Sequence, residues 1–371
     1  MRMMRTTILI ILWVAIGAGY PLSAQNHDQE IDLQALYQQI DKAIEQSPQF
    51  VSKRQEEIAD SYKQLQSEQS MEKRLALAER LFDLYHAYRN DSALYYAGMC
   101  ISLADSLHRK DIEGLYLSRK AHQCSNAGQH VEALDLLKRV DKSALGPKEL
   151  TNYYGAWMHV CGEIGSSSQQ PDVRQSYYAQ QDSYRDSVLM VAEKGSEEYL
   201  HLKMDVFCAR QLYQDALGIS DNWLSHVEEG THSEAFAAFY RSVVYDKLGN
   251  SQQLRYWLGR SALADIKCAV FDQASLFMLA ERLAEDGDYD RAYRYVRFCE
   301  KCNTEFLPRL RSYQVRYVAN VLEAAYNDSQ ARYSRLLTIA CVGALLLLGV
   351  VVWLLLRLRR PARHHQPDQS F

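Results

Sequence analysis

The most chemically suggestive spacing in the sequence is a C-x-x-C pair formed by Cys299 and Cys302. Such pairs bind zinc or exchange disulfides in other proteins. No second cysteine pair completes a zinc set, and no strand pattern precedes this pair to place a thiolate at a helix N-terminus. We therefore predict that most cysteines act as small buried apolar residues.

Three aspartates, Asp286, Asp288 and Asp290, have the spacing that begins a calcium-binding loop. Arg291 stands where that loop needs glycine, and Arg297 stands where it needs a bidentate glutamate. The run is better interpreted as a polar turn between two helices.

Other catalytic patterns are missing from the sequence. It contains no G-x-x-x-x-G-K-[ST], H-E-x-x-H or G-x-S-x-G, and its 11 histidines have no metal-ligand spacing with carboxylates. With 42 basic and 46 acidic residues, the net charge of −4 lacks the basic footprint of a nucleic-acid binder. We predict a non-enzyme with no cofactor, no metal and no direct contact with nucleic acid.

Two apolar runs indicate how the chain meets a membrane. Leu336 to Leu356 carries no charge and is long enough to cross the bilayer as one helix, with a buried core helix as the alternative. Ile8 to Ala18 follows two arginines and precedes a small-residue cleavage site, which predicts a signal peptide over residues 1–24, or an uncleaved anchor. Arginines follow the C-terminal run, so residues 357–371 should be a short cytoplasmic tail.

Between these runs the apolar spacing is helical. Residues 25–70 form an N-terminal helical segment, which Ser47 and Pro48 should break into two helices, serving as the first layer of the domain or as a coiled coil. Residues 71–306 read as paired helices whose second members align at intervals of about 36 to 38 residues, with one interval of about 46. The polar loop of residues 165–172 should account for the long interval. The aligned packing positions are Ala97, Ala133, Ala179, Ala216, Leu254 and Ala292.

A period in the mid-thirties with two helices per unit predicts a helical solenoid. The clearest unit reads LAERLAEDGDYDRAYRYVRFCEKC, with Ala280 and Ala292 as small packing residues and Gly287 in the turn. These residues resemble the tetratricopeptide repeat, and a weaker copy has Ala121, Gly128 and Ala133 in the same places. The fold expected is all-α, a tetratricopeptide-like solenoid with a signal peptide and a single C-terminal transmembrane helix.

The order of signal peptide, repeats and single span resembles a bacterial envelope family of transmembrane tetratricopeptide regulators. This resemblance implies a single-pass protein of the bacterial inner membrane, with its N-terminal domain in the periplasm. Family members look like sensors with a cytoplasmic helix-turn-helix-like output domain. Here only PARHHQPDQSF follows Arg360, so we expect any such output to be supplied by a partner.

The repeat resemblance also implies a groove lined by the first helix of each pair. Its mixture of aromatic and charged residues suits a protein or peptide partner in the periplasm. A solvated helix face is the alternative interpretation. The residues carried over from the groove positions of the repeat are His122, Ser125, Asn126, His201, Asp205, Phe239, Val243, Asp246, Lys247, Phe277, Glu281 and Glu285.

Residues 307–335 should form a helical stalk that runs without interruption into the span at residues 336–356. Ala340 and Ala344 would let two copies of the span approach closely, which suggests a homodimer through stalk and span. Two functions fit: a regulator that senses or relays an envelope signal, and a structural scaffold that tethers envelope complexes. A shortened gene is a third explanation of the short tail.

Overall fold

Helices make up the regular structure of the part of the chain that can be described. The computed structural model of the protein describes residues 31–306 and 309–358. Within these residues there are fourteen α-helices, one short 3₁₀ turn and no strand, so the predicted all-α class is confirmed. In chain order the helices are α1 Leu33–Ser67, α2 Met71–Tyr85, α3 Asn90–Ser106, α4 Lys110–Asn126, α5 His130–Lys138, α6 Pro147–Ser167, α7 Pro171–Val191, α8 Glu197–Ala209, α9 Tyr213–Leu224, α10 His232–Lys247, α11 Ser251–Lys267, α12 Ala274–Glu285, α13 Tyr289–Phe306 and α14 Arg309–Leu358.

The helices from α2 to α13 form six successive pairs, as the sequence period predicts. Gly128 and Gly287 lie in the turns inside two of these pairs with φ values of 75° and 85°, a conformation that favours glycine. The turn at Gly287 also confirms the interpretation of the three aspartates, because Asp288 accepts hydrogen bonds from the backbone and side chain of Arg291. The predicted helical solenoid is therefore present.

Most of the aligned packing positions are buried between helices, but the one in the third pair is not. Ala179 is exposed on α7, so its assignment as a packing residue is wrong. The buried residue of α7 is Val188 instead, which is only 1% exposed. The positions confirmed as buried are Ala97, Ala133, Ala216, Leu254 and Ala292.

The long interval in the third pair has a different cause from the one predicted. Residues 165–167 belong to α6 rather than to a loop, and only residues 168–170 separate α6 from α7. Each of these helices has 21 residues, so the extra length lies in the helices themselves. Trp157 and Tyr184 stack across the pair with ring centroids 5.2 Å apart, which gives the long helices an aromatic contact.

The predicted break at Ser47 and Pro48 is also wrong. A single 35-residue helix, α1, runs through both residues. A proline inside a helix costs about 3 kcal/mol because it removes one backbone hydrogen bond and crowds the preceding turn. Tyr37 and Ile40 before the proline, and Leu65 after it, are all 3% exposed or less. At about 1.5–3 kcal/mol for each buried side chain, packing at both ends of α1 offsets that cost.

Helix α1 joins the beginning of the solenoid to its end. Its first half packs with residues of α11, α12 and α13, and its second half packs with α2 and α3. The core of α2 and α3 also includes Phe271 and Phe306 from the last repeats. In addition, the backbone N–H of Phe271 donates to the carbonyl of Ala87 over 2.8 Å. The repeats are therefore closed by contacts that a linear stack of neighbours does not have.

The last helix connects the repeats to the apolar run. In α14, Ala319 and Leu322 are buried in the same core as α13, and Tyr326 stacks on Tyr293 with centroids 4.6 Å apart. The helix then continues without a break, and Leu322–Arg357 is long and apolar enough to cross a membrane. Leu345 is 67% exposed, as suits a side chain that faces lipid. The predicted signal peptide and the tail from residue 359 onward lie outside the described residues.

Candidate functional site

The predicted groove residues lie on α4, α8, α10 and α12, the first helices of four of the pairs. The structure brings them together in neighbouring sets rather than as one cluster. On α4 and α6, the rings of His122 and His159 stack with centroids 3.8 Å apart and an interplanar angle of 7°. Nε2 of His159 donates to Oδ1 of Asn126 over 3.0 Å. Ser125 is fully buried, so its side chain offers a partner no surface.

On α8 and α10 the central contact is between His201 and Tyr240, whose ring centroids lie 4.7 Å apart. Nδ1 of His201 lies 2.9 Å from the carbonyl oxygen of Glu197, so it carries the proton and donates it. Burial lowers the pKa of His201, which is only 9% exposed. This histidine is therefore neutral at pH 7 and acts chiefly as part of an aromatic cluster.

Asp205 lies one turn further along α8 and is half-buried. Burial raises the pKa of its carboxyl group to about 6, and the positive charge of Arg185 opposes this only in part. An acid in this range changes charge near neutral pH. The charge of Asp205 beside Arg185 therefore depends on pH in this range.

An ion network links α10 and α12, the first helices of the fifth and sixth pairs. Nη2 of Arg282 lies 3.5 Å from Oδ1 of Asp246, and its Nη1 donates to Glu285 over 3.1 Å. Burial raises the pKa of the neighbouring Glu281. Lys247 is exposed at the end of α10. This set has a charged rim with more acidic than basic groups.

The apolar members of the same set are half-buried. Phe239 and Phe277 pack against the core that α11, α12 and α13 form, and Val243 lies between charged positions on α10. An aromatic floor beside charged side chains is the arrangement by which helical repeats hold extended peptides or helices. Of the predicted residues, those on α10 and α12 most clearly combine exposed charged side chains with half-buried aromatic rings.

The two cysteines of the C-x-x-C pair belong to the core, in agreement with the prediction that most cysteines are small buried residues. Cys299 is 1% exposed and Cys302 is 2% exposed, and they lie in two different core clusters. Burial raises the pKa of Cys302 to about 12 and that of Cys299 well above its usual value. Both thiols are free in the structure and unsuited to redox chemistry. Within the described residues, no group of three or more His, Cys, Asp or Glu side chains could hold a metal ion.

A tyrosine-rich cavity between α1, α2 and α3 was not predicted. It has a volume of about 340 Å³. Tyr85 and Tyr96 stack on its wall with centroids 5.6 Å apart, and Gln55 donates to the hydroxyl of Tyr88 over 3.2 Å. The cavity depends on α1 closing over the first repeat, so the spacing of tyrosines in the sequence does not reveal it.

Comparison with known families settles the nature of the repeats. A model of the SusR N-terminal TPR domain matches residues 44–317, which is well over half of the chain. The chain belongs to the SusR N-terminal TPR domain family. No curated protein matches it. Membership in this family supports the resemblance to tetratricopeptide-repeat regulators.

The family assignment fits the geometry described above. Tetratricopeptide repeats are scaffolds for protein–protein interaction, and this fold is typically non-catalytic. The matched range begins inside α1 and ends inside α14, so the SusR-type domain includes all six helix pairs. The first helices that carry the predicted groove residues, α4, α8, α10 and α12, all lie inside the matched range.

Proposed function

We propose that this SusR-type chain is a membrane-anchored periplasmic protein that binds protein or peptide partners and takes part in envelope sensing or transcription-linked regulation. The observation that carries the proposal is the continuity of α14 from the repeat core into the apolar run. A helix that is packed at one end and membrane-spanning at the other can carry a displacement between the two.

The packed end of α14 is held by specific contacts. Tyr326 stacks on Tyr293 of α13, and the side-chain amide of Gln330 donates to Asp290 over 2.9 Å. Helix α13 in turn packs on α12, which carries Phe277 and Glu281 of the proposed groove. A partner that moves α12 would therefore move α13 and the stalk.

The partner class follows from the groove chemistry on α10 and α12. Asp246, Glu281 and Glu285 outnumber the positive charges of Lys247 and Arg282 along the rim. The floor between them is apolar and aromatic. We therefore propose a peptide or partner helix that presents an apolar anchor beside a basic residue.

The location and assembly belong to the same proposal. The predicted signal peptide and the arginines that follow Leu356 support a periplasmic repeat domain with a cytoplasmic tail in the inner membrane. Ala340 and Ala344 on the span support a homodimer. A tethering scaffold without signalling is the alternative function.

Site-directed photocrosslinking in the native membrane tests the proposal. The crosslinking residue is placed at Phe277 or Lys247 in the groove, at His365 in the tail, and at exposed Lys63 on α1 as the control. We expect groove positions to capture a defined envelope protein that Lys63 does not capture. A cytoplasmic DNA-binding protein captured through the tail would support signalling, whereas capture in the envelope alone would support the scaffold. Equal capture at groove and control positions would contradict the proposed groove.

A further inference from the structure

A cleft between α7 and α8 concentrates positive charge on a protein whose net charge is −4. Its volume is about 370 Å³, within the range of small-molecule sites. Arg185 on α7, Lys203 on α8 and Arg210 just after α8 line it, and Asp186 is the acidic residue among the lining side chains. The cleft lies between the third and fourth helix pairs, away from the proposed groove residues of α10 and α12.

Two of the three cations take part in no ion pair with the described residues. Among the described residues, neither Lys203 nor Arg210 has an acidic oxygen within ion-pair distance of its charged nitrogens. Nζ of Lys203 lies 5.1 Å from the ring centroid of Phe207, a contact that leaves its hydrogen-bonding capacity available. Lysine and arginine side chains so placed favour a ligand that carries negative charge.

The third cation is only partly satisfied. Nη1 of Arg185 donates to Asp182 over 2.7 Å, while Nη2 is 3.4 Å from Asp186. The buried Nε of Arg185 has no hydrogen-bond partner. Arg185 therefore contributes positive charge to the wall of the cleft, whereas its buried Nε is shielded from a ligand there.

The remaining lining of the cleft is aliphatic. Leu189 of α7 faces the cleft together with Val206 and Ala209 of α8. The site therefore combines cationic and aliphatic lining side chains. An inorganic ion would contact only the cationic side chains, whereas an organic anion would contact both the cationic and the aliphatic side chains.

We propose that the cleft between α7 and α8 binds a small organic anion, such as a carboxylate or a phosphate ester, with its charged group at Lys203 and Arg210 and its apolar part against Leu189 and Val206. Such a ligand would bridge the third and fourth helix pairs and fix their relative position. A soluble metabolite and the headgroup of an anionic phospholipid share this chemistry.

Calorimetric titration of the full chain in phosphatidylcholine nanodiscs tests the proposal, with phenyl phosphate as the probe at pH 7.5. We expect saturable binding that is at least tenfold weaker in Lys203→Gln and in Arg210→Gln, because each removes a charge-assisted hydrogen bond. Lys194→Gln is the matched control, since Lys194 is exposed in the loop before α8 and does not line the cleft. Inorganic phosphate should bind more weakly than phenyl phosphate.

A second titration separates the two sources of the anion. In nanodiscs that contain phosphatidylglycerol, a headgroup that occupies the cleft would compete and weaken the binding of phenyl phosphate at least tenfold. An unchanged affinity would point to a soluble anion. Unsaturable binding, or equal affinity in Lys203→Gln and Lys194→Gln with unchanged thermal midpoints, would overturn the proposal.

Discussion

Arg54 on α1 donates a hydrogen bond of 2.7 Å to the backbone carbonyl of Cys268 at the end of α11, although 214 residues separate them in the sequence. Its other terminal nitrogen donates to the carbonyl of Leu84 over 3.3 Å. One side chain thus holds the first helix, the first repeat and the fifth repeat together. This contact is the polar counterpart of the apolar packing by which α1 closes the solenoid.

Loss of this contact should destabilise the protein. We expect Arg54→Met to cost about 1.5–3 kcal/mol, because it removes charge-assisted hydrogen bonds while keeping much of the side-chain volume. The measurement is thermal unfolding of the full chain in detergent, followed by circular dichroism. Lys53→Met is the control, since Lys53 is exposed on the same helix and its loss should change stability by less than about 0.5 kcal/mol. Equal shifts for both variants would show that Arg54 does not hold the closure.

Two glycines provide a test of the close approach between α1 and α11. A Cβ added at Gly259 would lie 2.7 Å from Cδ2 of Leu36, whereas a Cβ at Gly218 on α9 would meet nothing within 4 Å. We expect Gly259→Ala to destabilise by about 1–3 kcal/mol through overpacking. Gly218→Ala should stabilise by about 0.5–1 kcal/mol, because alanine favours the helix. Chemical denaturation measures the free energy of unfolding of both variants. Changes of the same sign in the two variants would contradict the prediction.

Asp205 should make stability depend on pH. Its pKa is raised to about 6 in the folded protein by burial, so ionisation there costs stability as pH rises from about 4 through 6. Asp205→Asn removes that cost and should stabilise the protein by up to about 3 kcal/mol at pH 7.5, with little gain at pH 4. Thermal midpoints of both proteins at the two pH values provide the measurement. A gain that is the same at pH 4 and pH 7.5 would exclude the titration of Asp205 as its cause.

His232 and Asp265 form a second titrating pair, with Nδ1 and Oδ1 2.8 Å apart. Burial alone would lower the pKa of His232, but the hydrogen bond and charge of Asp265 outweigh it, with help from Glu197 and Asp272, and the pKa is raised. The ring of His86 lies 6.5 Å away by centroids, and burial lowers its pKa. A raised histidine pKa contributes stability below pH 6.5 that is lost as pH rises through the folded value.

Replacement of the carboxylate tests this assignment. We expect Asp265→Asn to lower the thermal midpoint more at pH 6 than at pH 9, because the charged histidine that the carboxylate stabilises exists only at the lower pH. Asp272→Asn is the comparison variant: its charge also raises the pKa of His232 but less than that of Asp265, so its effect should depend on pH in the same direction and be smaller. A midpoint difference that does not change between pH 6 and pH 9 would contradict the paired state.

The repeat fold could be predicted wherever a residue's role depends on its near neighbours in sequence. Gly287 and Ala292 illustrate this, since a turn glycine and a small residue facing the other helix of the same pair are both local features. Ala179 was misassigned because the third pair has longer helices, and the contact moves to Val188. Pro48 was expected to end a helix because its local effect is unfavourable, but packing at both ends of α1 keeps that helix intact.

The candidate site could likewise be predicted from the sequence only in part. The first-helix positions on α10 and α12 followed from the repeat resemblance, whereas Arg282, which links Asp246 to Glu285, did not. The cationic cleft combines Arg185 with Lys203 across two repeats, and no motif brings these residues together in the sequence. Sites that form between repeats depend on how the repeats are rotated, which local periodicity does not encode.

The sequence by itself determined the all-α class, the helix pairs and the apolar helix near the C-terminus, because helical periodicity and a long uncharged run are properties of short stretches of chain. Only the tertiary structure decided that α1 closes the repeats and that Arg54 reaches Cys268. Contacts between residues more than 200 positions apart depend on the summed curvature of all the pairs between them. No single stretch of sequence specifies that sum.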